Sequence, residues 1–373
     1  MMRDTYRFGI EEEYFLVDAA TKAVVKTRPH GFLRTMKDAL GERVSGEMLQ
    51  AQIEVSTSPH TDMNTASAEL KHLRQNASRI AAEHGVAILA AGTHPTAVWD
   101  LAQQSPGVRY DAVMNDLQII GQRNMLCGMH VHVELPDGED RVDVMYRMLP
   151  YLPLFIALAT SSPFWQSRST GLKGYRLAAY DELPRTGVPE LFRKREDYDA
   201  YIDALTRAGV IEDSSYVWWA LRPSLKHPTL ELRAPDSCTR VEDSLAIASL
   251  YRAMARQLTR NPWLNWDMTA VDRAVIVENK WRAQRYGVHG TFADAGNGPI
   301  TVADMLDRAI EQVQADAEAL GCLDEVLHCR AIIGEGTSAD TQLAVFAGAK
   351  ERNESRGEAL RAVTDWIASA TLQ

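Results

Sequence analysis

The chain has 373 residues, 46% of them hydrophobic, with a formal net charge of −10 and a pI near 5.5. That length suggests roughly two domains but also suits one large mixed fold with a shared core. An acidic balance without a basic stripe or polybasic tail argues against a general nucleic-acid binder or a binder of anionic membranes.

The first expected element is a strand over TYRFGIEEEYFLVD, residues 5–18, where Tyr6, Phe8, Ile10, Tyr14, Phe15, Leu16 and Val17 favour a pleated, half-buried surface. Its middle carries three successive glutamates. Side chains alternate across a strand, so Glu11 and Glu13 face one side and Glu12 the other. Carboxylates spaced at about 7 Å on one sheet face repel unless a cation sits between them. Two explanations stand at this point: an edge strand guarded by charge, or a face that holds cations.

TKAVV and the stretch from Met48 to Thr57 continue the β pattern, and SPHTD supplies a turn and a helix start. Asn64 to His84 has helical periodicity, with Ala68, Leu70, Leu73, Ala77, Ile80 and Ala81 on one side and Gly85 at its close. GVAILAAGTHP reads as a buried strand, Tyr110 to Gly121 as a helix, and MLCGMHVHVELPDG has the cleanest alternation in the chain. Arg141 to Ser161 is expected to be helical with proline kinks, Phe164 to Gly187 to be loop, and Glu190 to Gly209 to be helix. SSYVWWALRPS and PTLELRAPD look like paired strands, and the chain from Val241 onward is mostly helical in pattern. Strands crowd the first two thirds in no regular βαβ order, which favours an antiparallel sheet with helices on one face, an α+β fold. No repeat or low-complexity linker divides the chain, so one catalytic domain over residues 1–373, with a helical part from about 241, is the expected organisation. The start MMRDTYRFGIEEE has no apolar leader pattern, and MLPYLPLFIALAT from Met148 is too short and proline-interrupted to span a bilayer. Cys127, Cys238, Cys322 and Cys329 form no CxxC pair and fit a reducing compartment, so a soluble cytoplasmic protein is expected.

Four expected strands share metal-capable residues at a spacing of two. Glu11 and Glu13 are the first pair; LQAQIEVSTSP places Glu54 in a β-branched run, with Glu47 seven residues earlier. GMHVHVELPD sets His130, His132 and Glu134 on one face, and HPTLELRAPD sets Glu231 and Arg233 on one face. Singly, an HxH on a strand suits a polar outward face, and Glu-x-Arg suits a cross-strand ion pair. Jointly, if these strands are neighbours, one face gathers carboxylates that cannot all stay ionised without cations. Hard oxygen ligands with an imidazole suit Mg²⁺ or Mn²⁺, whereas zinc would more naturally take thiolates or several histidines. Paired hard metals on a sheet face are what phosphoryl transfer from ATP requires.

FGIEEEYFLVD, LQAQIEVSTSP, GMHVHVELPD, TGLKGYR with PRTGVPELF, HPTLELRAPD and ENKWRAQRYG, in this order, resemble the bacterial carboxylate–amine ligase family, also called type 2 glutamate–cysteine ligases. The resemblance runs from about Thr5 to past Gly290. It implies a catalytic domain similar to glutamine synthetase: an antiparallel sheet forming an open funnel, with acidic metal ligands inside and helices packed on its outer face. It implies ATP and Mg²⁺ (or Mn²⁺), a carboxylate activated by phosphorylation, and an amine that then displaces phosphate. Matched to the family pattern, Glu11, Glu13, Glu47, Glu54, His130 and Glu231 are the implied metal ligands, and Glu12 is structural. Arg233 follows Glu231 on the same face, where a fixed guanidinium can steady a transferring phosphoryl group. Arg176 in GLKGYR and Arg222 in WWALRPS are candidates for holding a substrate carboxylate or nucleotide phosphate, since bidentate recognition favours arginine; surface solubility is the other account of them. His132 is expected behind the metals or against substrate. Trp218 and Trp219 suit packing, and Asn279, Arg282 and Arg285 suit capping, pairing or the site. The implied partners are a glutamate-like carboxylate and a cysteine-like amine, in a homodimer. A metal-dependent hydrolase using the HxH strand and a non-catalytic metabolite-binding relative are the competing functions.

Overall fold

Strand β1 (Phe8–Asp18) is the axis of the computed structural model, which describes residues 6–294, 296 and 298–373; Thr5, with which the expected first strand opens, lies outside them. Helix α1 (Phe32–Leu40) and the short strands β2 (Val44–Gly46) and β3 (Gln52–Ser56) follow. Helix α2 (Met63–Glu83) starts at Asp62, whose carboxylate accepts from the Thr65 amide at 2.8 Å, and it buries Leu70, Leu73, Ala77, Ile80 and Ala81. Strand β4 (Val86–Leu89) leads to α3 (Val108–Leu117), α4 (Ile119–Gln122) and β5 (Met129–Glu134). The expected helix from Arg141 is split into α5 (Arg141–Met148) and α6 (Leu152–Leu158) by a tight turn over Leu149–Tyr151, because Pro150 and Pro153 lack the amide that would continue the ladder.

Beyond these lie β6 (Phe164–Trp165), β7 (Arg168–Ser169), α7 (Tyr175–Tyr180) and α8 (Arg195–Arg207). Strands β8 (Leu221–Pro223) and β9 (Thr229–Leu232) precede α9 (Val241–Arg260) and α10 (Ala270–Tyr286). The chain then forms β10 (Thr291–Asp294), β11 (Gly298–Thr301), α11 (Val302–Ala319), α12 (Leu323–Glu335), α13 (Ser338–Glu351) and α14 (Arg356–Ala370). Reciprocal side-chain caps start α10 (Thr269 with Asp272), α13 (Thr337 with Asp340) and α14 (Ser355 with Glu358).

The main sheet runs β2-β3-β1-β5-β9-β8, with β4 pairing the far end of β1, and every pairing in it is antiparallel. The α+β class expected from the sequence is therefore the observed one. On its closed face Ile10, Val131 and Leu232 lie in register and join an apolar cluster that continues into α9, α11 and α12 through Ala246, Leu250, Leu306, Val313 and Val326.

Several local expectations change. TKAVV contributes only a single bridge, Val17 to Val24. The stretch from Met48 becomes strand only at Gln52, so Glu47 sits in the turn after β2. The helix expected to Gly121 breaks at Gln118, which adopts φ 52. The region from Phe164 to Gly187 holds the β6–β7 hairpin and α7 rather than loop alone. Helix α8 begins at Arg195, later than Glu190. Ser214–Tyr216 forms a tight turn capped by Asp213, which delays β8 to Leu221. The helical part after 241 is interrupted by the β10–β11 hairpin.

Candidate active site

Cross-strand register builds the site. Glu13 pairs with Glu54 across β1 and β3, Glu11 with His130 across β1 and β5, His132 with Glu231 across β5 and β9, and Glu231 with Arg222 across β9 and β8. Paired residues project to the same side, so these side chains share the open face. His130 Nδ1 lies 3.2 Å from Glu11 Oε2, and its Nε2 lies 3.7 Å from Glu13 Oε1. His132 Nε2 is 3.5 Å from Glu11 and 3.9 Å from Glu231, while its Nδ1 meets Thr229 Oγ1 at 2.8 Å. Glu47 joins from its turn, half-buried, with one oxygen 3.4 Å from the Met48 amide.

Donor atoms fall into three overlapping sets, each with its members within 4.8 Å of one another: Glu11, Glu54 and His130; Glu11, His132 and Glu231; Glu13, Glu47 and Glu54. Glu11 and Glu54 each belong to two sets, so the sets are contiguous.

Arginines close one flank. Arg233 ion-pairs with Glu231, and Arg222 Nε donates to Glu231 Oε2 at 2.7 Å. Arg222 Nη1 donates to the carbonyls of Ser215 and Val217 at 3.2 and 2.9 Å, so the protein itself occupies this guanidinium. Arg176 is buried, and its Nη1 donates to the carbonyls of Arg233, Ala234 and Pro235 at 3.3, 3.4 and 3.1 Å, fixing the turn that follows β9. Gly128 makes this possible: a Cβ there would stand 2.0 Å from Arg176 Nη2, and the Gly128 amide donates to Glu13 Oε2 at 2.5 Å. Glu12 points the other way and is fully buried, meeting Arg74 at 2.6 and 2.7 Å, Ser244 Oγ at 2.6 Å and the Tyr14 hydroxyl.

Residues 7–365 match the description of glutamate–cysteine ligase family 2. The chain belongs to this family, and so to the ligases that form carbon–nitrogen bonds. It is 54% identical over 98% of its length to a Bradyrhizobium diazoefficiens protein named "Putative glutamate–cysteine ligase 2", of which it covers 84%. A Rhodospirillum rubrum protein of the same name is 41% identical, with 100% of this chain and 97% of that one covered. Among solved structures, its fold resembles that of a bifunctional glutathione synthetase from Pasteurella multocida, with a TM-score of 0.69, 15% identity and 98% of this chain covered. The chain spans about half of that protein's length, 52%. It also resembles a glutamate–cysteine ligase from Francisella tularensis solved with AMP, with a TM-score of 0.67, 13% identity, and 100% and 90% of the two chains covered.

In this family 2 ligase the electrostatics of the face are unbalanced. Burial, then Glu11, Glu47 and Glu13, push Glu54 well above the usual carboxylate range. Burial, then Glu13, pushes Glu47 up to about 8. Burial acts on Glu11 in the same sense, but hydrogen bonds with His130 and His132 outweigh it and hold Glu11 well below the usual range. Burial is likewise outweighed at Glu231 by Arg233 and Arg222, which hold it low. Burial and the nearby Arg233 lower His130, favouring the neutral imidazole, and its buried Nε2 has no hydrogen-bond partner. A neutral imidazole with a free nitrogen among carboxylates is a donor set suited to a hard divalent cation.

Two recesses flank the face. A cavity of about 150 Å³ is bordered by Glu13, Glu47, Arg176 and Arg233 on one side and by side chains of α3 on the other. A wider recess of about 550 Å³ opens beside Glu11 and His132, with Arg43, Ser58, His227 and Thr229 around it. Sequence reasoning missed Tyr110, Asn124, Tyr180 and Leu183, which line the smaller cavity with Trp218; their only signal was helical periodicity or loop composition. Trp219, by contrast, is buried and stacks on Tyr201 with centroids 5.5 Å apart. Asn279 holds the Ala293 backbone at 2.7 and 2.8 Å, Arg282 donates to Thr291, and Arg285 lies over the Tyr286 ring. Those three serve the β10–β11 hairpin and the end of α10, not the acidic face.

Proposed function

We propose that this chain is an ATP-dependent carboxylate–amine ligase that works through an acyl phosphate. The observation that carries the proposal is the trio of contiguous donor sets, in which burial and then the neighbouring carboxylates push Glu47 and Glu54 upward, an imbalance that bound cations would relieve. Mg²⁺ or Mn²⁺ held by Glu11, Glu13, Glu47, Glu54, His130 and Glu231 would neutralise charge on the transferring phosphoryl group. Around them this chain's own residues divide the work. Arg222, engaged with Glu231 and two carbonyls, orients that carboxylate. Arg233 supplies positive charge where phosphoryl oxygens would gather it. His132, tied to Thr229, sets the position of Glu11 and borders the wide recess. We assign that recess to the nucleotide and the smaller cavity to the carboxylate, since the former is large enough for a purine and ribose and the latter is not.

The carboxylate oxygen attacks the γ-phosphorus and ADP leaves; the amine then attacks the acyl carbon, phosphate departs, and the amine proton passes to solvent. A hydrolase built on the HxH strand has less support, because His130 and His132 join different donor sets and, among the described residues, no set contains both. The relatives' names point to glutamate and cysteine as the first substrate pair to try. A single catalytic domain is supported by the apolar cluster that runs from β1 to α12. A cytoplasmic homodimer belongs to the same proposal, and among the described residues no helix is long and apolar enough to cross a membrane. The test is ADP release from ATP with a carboxylate and an amine, with and without chelator. Metal-dependent release that needs the carboxylate is expected; equal release in excess chelator would sink the proposal.

A further inference from the structure

Glu47 reaches the acidic face by a different route from its neighbours. Glu54 is paired with Glu13 on one side and Ser45 on the other, and the Glu13 amide donates in turn to the Gly128 carbonyl at 3.0 Å, so the sheet itself fixes both. Glu47 lies just past the end of β2, the edge strand. Its amide reaches the Gln52 carbonyl only at 3.5 Å, beyond the usual range of a hydrogen bond. What holds its backbone comes from residues 103–110, across the entry to α3. The Tyr110 hydroxyl donates to the Gly46 carbonyl at 3.0 Å, the Ser105 hydroxyl to the Glu47 carbonyl, and the Ser105 amide to the Met48 carbonyl at 2.8 Å. Gln50 continues the contact, its amide donating to the Gln103 carbonyl at 2.8 Å and its Nε2 to the Gln104 carbonyl at 3.0 Å. From beneath, Arg28 Nη2 donates to the Gln52 carbonyl at 3.1 Å. Gly46 leaves room for that guanidinium, since a Cβ there would stand 2.5 Å from Arg28 Nη1.

Met48 adds an apolar tie, its side chain packing on the cluster of Val113, Leu117 and Leu183 that lies apart from the other cores. The Glu47 turn and α3 therefore form one body against the edge of the sheet. That body also walls the smaller cavity, to which Glu47 and Tyr110 both contribute. Building on the ligase reading, we infer that Ser105 and Tyr110 are positioning residues for the cation held by Glu13, Glu47 and Glu54. They fix the carbonyls of residues 46 and 47, Ser105 also that of Met48, and so aim Glu47 at the face without touching the ion. The two donor sets that lack Glu47, one of Glu11, Glu54 and His130 and the other of Glu11, His132 and Glu231, stand on paired strands and do not depend on α3. One cation position is thereby conditional on how α3 sits over the cavity.

Mn²⁺ binding can be followed without turnover, by the paramagnetic resonance of the free ion during titration. Glu47→Gln identifies the binding step that depends on Glu47. Tyr110→Phe, which keeps the ring and loses the hydroxyl, and Ser105→Ala are each expected to weaken that same step about fivefold, the scale of one hydrogen bond, and to leave the other steps unchanged. Ser105 stands outside the cavity lining, so agreement between the two variants separates backbone positioning from contact with a bound substrate. In a Glu47→Gln background neither should weaken binding further, because no carboxylate remains to be aimed. A loss spread over every Mn²⁺ step, an equal loss in the Glu47→Gln background, no loss in either variant, or a Glu47→Gln variant with unchanged steps overturns this inference. Chelator-sensitive ADP release by the wild type then leaves the ligase reading standing. A wild type that binds no Mn²⁺ and releases ADP equally in excess chelator overturns both.

Discussion

Three neighbouring glutamates of one strand, Glu11, Glu12 and Glu13, meet opposite fates on the two faces of the sheet. Glu12 is fully buried, yet Arg74, Ser244 and Tyr14 surround it, and its carboxyl stays below the usual range because these groups outweigh its burial. Its charge is balanced inside the protein. On the other face, Glu11, Glu13, Glu47 and Glu54 share two imidazoles and Arg233, and Glu47 and Glu54 are pushed upward instead. That imbalance is relieved by protons kept on Glu47 and Glu54, or by added cations. A structural carboxylate is thus told from a functional one by whether the fold supplies its counter-charge.

The largest effect should come from the unbalanced face. If Glu11 and Glu13 hold metal as proposed, Glu11→Gln or Glu13→Gln is expected to lower ATP-dependent turnover on the order of 10³-fold while the protein stays folded, since a ligand would be lost but repulsion is also relieved. Circular dichroism beside ADP release decides it; turnover within tenfold of wild type would remove these residues from the metal site. The balanced face should answer in the opposite way. Arg74→Ala leaves Glu12 as an uncompensated buried charge and should cost about 3–5 kcal/mol of stability, with turnover per folded molecule nearly unchanged. Denaturant titration measures the first and activity normalised to folded protein the second.

Arg233 sits between these extremes, being paired with Glu231 yet bordering the smaller cavity. If it acts on charge that grows during transfer, Arg233→Ala should keep Mg-ATP affinity within about tenfold while turnover falls on the order of 10²-fold. Loss of affinity with turnover preserved at saturation would make it a nucleotide anchor instead. The smallest effect is a pH dependence. Glu47 in the folded, metal-free protein titrates at about 8, against an ordinary value of 4.5. Between those values the folded chain keeps a proton that the unfolded chain has released, so the contribution of Glu47 to stability declines as pH rises across that window. Chelator-treated wild type should therefore lose melting temperature relative to Glu47→Gln from pH 5 to pH 8, and Mg²⁺ should reverse the difference. A gap that widens in favour of wild type with rising pH contradicts the sign.

Strand alternation was legible in the sequence because it is a local property: a period of two sends Glu11 and Glu13 one way and Glu12 the other whatever the strand's neighbours are. The same holds for His130 and His132 and for Glu231. Helix α2 was equally legible from its apolar spacing and its acidic cap. The hairpin after α10, the helix inside the 164–187 segment and the late start of β8 were not, because short elements depend on what they pack against more than on propensity.

What the chain by itself determined is therefore which side chains share a face of their own strand, and which residues have the chemistry to hold a hard cation. Tertiary structure alone decided that β3, β1, β5 and β9 lie side by side, that Arg74, 62 residues away, neutralises Glu12, and that Arg222 spends its nitrogens on Glu231 and the backbone. It also decided that α3 lays Val113 and Leu117 over a cavity. The reason is physical: alternation follows from the geometry of a single backbone, whereas strand order and the balancing of buried charge are settled by contacts between segments far apart in sequence, where packing and desolvation act on the whole fold at once.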